Sequence, residues 1–141
     1  MLGDSLLVAP VFKETGDVEY YLPDGKWVNL LSEKVMEGGS WKKEIFDYFG
    51  LPVLVRENSI IAVGSCDSRT DYEFDDGVEF WLSVFEDGGI CETSVTDLSG
   101  TVVMNVKAVR ESDVIRLSVE GGNGNWSYKV IGEQNIRVLT I

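Results

Sequence analysis

The segment Gly3-Asp4-Ser5-Leu6 has the form in which a serine hydroxyl acts as the nucleophile of ester cleavage. A serine is a weak nucleophile at its ordinary pKa and needs a base placed to take its proton. The chain contains no histidine, so a Ser-His-Asp arrangement cannot be assembled, and the residues after Ser5 continue as an apolar strand to Pro10. Asp71, Glu73, Asp75 and Asp76 alternate like the acids of an EF-hand loop. Two required positions fail: Asp76 stands where the loop needs glycine, and Leu82 where it needs a bidentate glutamate. A surface hairpin accounts for these acids. Cys66 and Cys91, with no histidine nearby, make neither a zinc site nor a disulfide framework and read as free, partly buried thiols. No catalytic, metal-binding or cofactor-binding residue is assigned.

Aromatic rings are the remaining candidates, because exposed Trp and Tyr on a β-sheet are what a carbohydrate-binding surface stacks against sugar. Trp27 and Trp41, with Tyr20, Tyr21, Phe46, Tyr48 and Phe49, read as a core or an inter-domain seam. Trp81 stands between Glu79 and Ser83, opposite the apolar side of its strand, and is the best placed of the four tryptophans for exposure. It is the candidate sugar-stacking residue. Asn125-Trp126-Ser127 fits the glycosylation acceptor pattern, which carries weight only in a secreted protein.

Strands must position these groups, since alternation with a period of two recurs along the chain and helical periodicity nearly vanishes. From Val78 to Phe85, the residues Val78, Phe80, Leu82 and Val84 would share one face and Glu79, Trp81 and Ser83 the other, with Phe85 breaking the pattern. Asp113 to Val119 turns Ile115, Leu117 and Val119 inward, and Val102 to Ala108 carries Met104 and Val106 between its ends. Closing strands are predicted at Trp126 to Ile131 and Ile136 to Ile141. Asp24-Gly25, Asp76-Gly77 and Asp87-Gly88 read as hairpin turns. The fold class is therefore all-β, in antiparallel β-sandwich lobes. Near Cys66 an apolar stretch gives way to an acidic one, which places a boundary there and predicts domains at 1–66 and 67–141.

Composition excludes several partners. The 141 residues include 44% hydrophobic and 26% charged, as in an ordinary globular protein. Twelve Lys and Arg against 24 Asp and Glu give a net charge of −12, a field that repels nucleic acid and anionic membranes. No apolar run reaches the ~20 residues of a spanning helix. Met1-Leu-Gly-Asp-Ser offers no signal-peptide regions, and with two free thiols the expected setting is cytoplasmic.

Three blocks carry a resemblance in the same order: Met1-Leu-Gly-Asp-Ser-Leu-Leu-Val-Ala-Pro-Val-Phe12, Tyr21-Leu-Pro-Asp-Gly-Lys-Trp-Val-Asn29, and Gly50-Leu-Pro-Val-Leu-Val-Arg-Glu-Asn-Ser-Ile-Ile-Ala-Val-Gly64. They resemble the part of family 31 glycoside hydrolases that follows the catalytic (β/α)8 barrel; Asp75-Asp-Gly-Val78 and the strands beyond are similar to the family's distal C-terminal domain. The resemblance implies a proximal and a distal β-sandwich domain, and a parent enzyme of α-xylosidase or α-glucosidase type that works with retention through two aspartates. The nucleophile segment of the family has no counterpart here. Retention needs two carboxyl groups about 5–5.5 Å apart in a desolvated pocket, whereas the carboxylates of this chain cluster in turns. The implied partner is a catalytic barrel of the same polypeptide, and carbohydrate is a second candidate partner. The alternatives are a stand-alone carbohydrate-binding β-sandwich module and a structural interaction domain.

Overall fold

The computed structural model describes residues 1–83, 86–132 and 135–141, and every regular element among them is a β-strand. The chain divides into two units, Met1–Glu57 and Asn58–Ile141.

In the first unit, β1 (Leu6–Val8), β3 (Lys26–Asn29), β4 (Val35–Glu37) and β6 (Val53–Arg56) form a sheet in the order β1-β6-β3-β4. The strands β2 (Asp17–Leu22) and β5 (Ser40–Ile45) pair separately as an antiparallel ribbon. Alternation along β2 buries Val18, Tyr20 and Leu22, which meet Leu7, Ala9, Trp27 and Leu54 in one core. Trp27 is fully buried and its indole N–H donates to the Pro23 carbonyl at 2.9 Å. That bond satisfies the one polar atom the ring would otherwise bury unpaired.

The second unit contains β7 (Ser59–Val63), β8 (Val78–Ser83) and β12 (Trp126–Val130) in one sheet, ordered β12-β8-β7. Its other sheet is β13-β11-β10-β9, built from β9 (Ile90–Thr96), β10 (Val102–Glu111), β11 (Val114–Gly121) and β13 (Arg137–Thr140). Val78, Phe80 and Leu82 from the first sheet pack against residues such as Met104, Val106, Ile115 and Leu117 from the second. Of the inward residues expected for these strands, Val78, Phe80, Leu82, Met104, Val106, Ile115 and Leu117 are buried and Val119 partly so; Ser83, expected on the opposite face, is also buried, as the alternation of β8 breaks at its end, and Val84 and Phe85 lie outside the described residues. The composition shift near Cys66 lies inside this unit, because β7 pairs with β8 and directs Ile60 into the second core.

Two pairings depart from a purely antiparallel reading: β12 runs parallel to β8 and β13 parallel to β11. The Asp-Gly steps differ more. Asp24-Gly25 joins β2 to β3, and Asp87-Gly88 lies between β8 and β9; in both cases the flanking strands belong to different sheets. Asp76-Gly77 ends the long connection from β7 to β8. An Asp-Gly step supplies the left-handed backbone that a turn needs, Gly25 having φ 111° and Gly77 φ 72°. Whether the next strand pairs or crosses to the facing sheet depends on which faces are apolar. A two-residue hairpin occurs instead at Ser112-Asp113 between β10 and β11, with Ser112 at φ 56°.

Candidate interaction face

The ribbon of the first unit has an inverted pattern on one strand. The inward cross-strand partners of Val18 and Tyr20 are Glu44 and Lys42, whereas Trp41, Lys43 and Ile45 point outward. Trp41 is 65% exposed and Ile45 75%. Inward Glu44 is tolerated because its carboxylate accepts a 2.5 Å hydrogen bond from the Tyr20 hydroxyl. Burial, then the hydrogen bond and charge of Glu44, holds that phenol well above its ordinary pKa. The strand's apolar side is thereby turned to solvent, the opposite of what a sandwich edge needs for stability alone.

The chain after β5 continues this exposure. Phe46 tucks against the core, and its backbone N–H donates to the Gly16 carbonyl at 3.0 Å. The approach is so close that a Cβ on Gly16 would sit 1.9 Å from the Phe46 oxygen, and Gly16 has φ +79°. Asp47 then accepts from the Phe49 N–H at 3.0 Å, and the Gly50 N–H donates to the Asp47 carbonyl at 3.3 Å, which closes a turn. Tyr48 and Phe49 project from that turn, 95% and 89% exposed.

Clefts of about 700 and 710 Å³ adjoin the turn and share Ile45, Phe46, Asp47 and Gly50 in their walls. The first adds Pro10 and Leu51; the second adds Leu31, Val35 and Met36. Phe12, 90% exposed, follows the first of these segments. Lys13, Glu14, Lys34 and Glu44 also line these clefts, so exposed aromatic rings stand here within a mixed, partly charged rim, the composition of an interaction site.

The remaining candidates are dispersed. Trp81 is half-buried, its indole N–H donates to Glu79 at 2.6 Å, and the Lys129 ammonium lies 5.5 Å from its ring centroid. The greater exposure falls to Trp41, which was expected in a core or seam; the reversal comes from the inverted side-chain pattern of β5. Trp126 is half-buried beside Phe80. Ser5 lies at the start of β1, where its carbonyl accepts from the Arg56 N–H. Of the acids after Asp71, Asp76 holds loops together: its carboxylate accepts the Asn125 amide at 2.7 Å and its carbonyl the Ser65 hydroxyl. Among the described residues, no group of three or more His, Cys, Asp or Glu could hold a metal, and no helix is long and apolar enough to cross a membrane.

Comparison with known proteins assigns most of the chain. Residues 1–61 match the family model described as glycosyl hydrolase family 31 C-terminal domain, and residues 73–140 match the C-terminal domain of alpha-xylosidase YicI. The alpha-xylosidase XylQ of Lactiplantibacillus pentosus is 35% identical over 128 residues, which are 89% of this chain and 17% of that protein. An alpha-xylosidase of Emericella nidulans is 30% identical, again over 89% of this chain and 18% of its own length. The chain therefore spans about a sixth of the length of these curated relatives. The crystal structure of the GH31 alpha-xylosidase of Xanthomonas citri superposes with a TM-score of 0.66 at 22% identity, covering 99% of this chain and 16% of that one. At that identity the likeness shows the fold alone.

Proposed function

Because this chain belongs to glycoside hydrolase family 31 and carries the family's C-terminal domains, we propose that it is the non-catalytic C-terminal region of a retaining α-glycosidase of α-xylosidase or α-glucosidase type. In that role it serves carbohydrate metabolism by packing against a (β/α)8 catalytic barrel of the same polypeptide. The observation that carries this reading is the exposed turn of Tyr48 and Phe49 between two clefts. A catalytic domain covering it would remove from water the aromatic surface that the first unit displays. The segment between the matched regions, 62–72, holds the proposed boundary near Cys66. The free thiols Cys66 and Cys91 support a cytoplasmic setting.

A chimera tests this. The matching C-terminal region of the Lactiplantibacillus pentosus alpha-xylosidase is replaced by this chain, and aryl α-xyloside hydrolysis and thermal unfolding are followed. An active chimera that melts earlier when Tyr48 and Phe49 are changed to serine supports the role. A chimera whose stability ignores that change, or hydrolysis by this chain alone, would overturn it.

Trp81 remains the proposed contact with carbohydrate in the second unit, supported by its partly exposed ring and the carboxylate of Glu79 beside it. Lys129 lies over the ring, so the reading carries an expectation of weak binding.

A further inference from the structure

We propose that the outward face of the β2–β5 ribbon is a binding surface for a neutral oligosaccharide. Tyr21 and Trp41 are direct cross-strand partners on that face, their rings edge to face with centroids 5.8 Å apart and planes at 70°. They are 47% and 65% exposed. Two residues along, about 7 Å by the rise of a strand, the next outward pair is Glu19 and Lys43, joined at 3.5 Å. Beyond it stand Asp17 and Ile45. A cleft of about 620 Å³ lies at the Asp17–Ile45 end of the ribbon, where outward Asp17, Glu19, Lys43 and Ile45 meet Lys13 and the inward Val18 and Glu44.

The charges select the ligand. Asp17 and Glu19 would repel an anion, as would the net charge of −12. Lys13 and Lys43 stand among those acids, and among the described residues no acidic group of the size a metal needs is formed. Donors and acceptors therefore alternate around a site of small net charge, which suits a ligand of many hydroxyl groups. A protein partner is disfavoured, because covering the ribbon would strip water from the Glu19–Lys43 pair, whose side chains are 53% and 75% exposed. A pyranose avoids that cost: its apolar face lies on the Trp41 or Tyr21 ring while its hydroxyls bond to both charges. The inference rests on the ribbon and not on the role proposed for the whole chain.

The test uses the complete chain, titrated with maltotriose and, separately, with trigalacturonic acid as an anionic control, observed by amide and indole proton–nitrogen spectra. Expected are millimolar binding of maltotriose with shifts at Trp41, Tyr21, Glu19 and Lys43, and a weakening of about tenfold or more in Trp41→Ala and in Glu19→Gln. Tyr128→Ala, at an exposed ring of the second unit, binds as the parent does. Absence of shifts at Trp41, Tyr21, Glu19 and Lys43 up to tens of millimolar, or equal binding of the acidic trisaccharide, would each overturn the site. The unfolding transition of each variant is recorded, so that lost binding is read only from folded protein. None of these failures touches the chimera result.

Discussion

The rings of Tyr48 and Phe49 stand edge to face at the tip of the Asp47 turn, with centroids 5.5 Å apart and planes at 88°. Each ring supports the other, and solvent surrounds both. A pair held this way is presented as a unit to whatever covers it. The first prediction is that the chain alone self-associates at high concentration and binds a hydrophobic dye. Tyr48→Ser with Phe49→Ser lowers both while leaving stability within about 0.5 kcal/mol, as for other exposed substitutions. Sedimentation and dye fluorescence measure this; a clean monomer with no dye signal in the parent chain would refute it.

Trp27 gives the opposite kind of position. Trp27→Ala removes a fully buried ring and its hydrogen bond to Pro23, a loss of about 3–5 kcal/mol. Urea unfolding of the chain should show that loss in the transition of the first unit. Trp41→Ala, at a ring 65% exposed, serves as the control and shifts the midpoint little.

The two thiols should separate by pH. Hydrogen bonds from the Ser68 side chain, then from the backbone of Ser68 and Arg69, lower the Cys66 pKa to about 7. Burial first, and then the charge of Glu92, pushes the Cys91 thiol up to about 12. The thiolate is the reactive form, so alkylation of Cys66 rises as pH increases through about 7, while Cys91 stays unlabelled in the folded chain. Ser68→Ala should move the Cys66 midpoint upward. Mass spectrometry of iodoacetamide-treated protein reads both sites.

Chromophore release offers the simplest check on chemistry. The chain alone should hydrolyse neither aryl α-xylosides and α-glucosides nor aryl esters above a blank. Ser5 lacks any imidazole to take its proton, and general-base assistance is worth about 10²–10⁴ in rate. Activity lost in Ser5→Ala would identify an esterase. Glycosidase activity lost in Asp76→Asn would show that a carboxylate bonded to Asn125 in a turn has a catalytic role.

Much of the second unit was legible because its strands follow the simple rule of apolar residues inward: Phe80, Leu82, Ile115 and Leu117 recur at every second position of their strands and are all fully buried. The parallel partners of β12 and β13 were not, since alternation marks which face is buried but not which distant strand lies alongside. The interaction face was hidden for a different reason. In Trp41-Lys-Lys-Glu-Ile45 the large apolar residues suggest the inward side, yet Tyr20 accommodates Glu44 inside and sends them out. Only the cross-strand register reveals that choice. The same register separates Trp41 from Trp81, which local sequence ranked the other way.

The turn at Asp47 also gives the chain a built-in footprinting reagent. Proteases cut most readily at exposed loop tips, and those specific for aromatic residues meet Tyr48 and Phe49 side by side, 95% and 89% exposed. Brief chymotrypsin treatment should therefore nick the free chain first between β5 and β6, and any body seated on the turn should slow that cleavage by occlusion. The rate of one peptide-bond scission thus reports occupancy of the face without label or antibody, in purified protein and in crude extract alike.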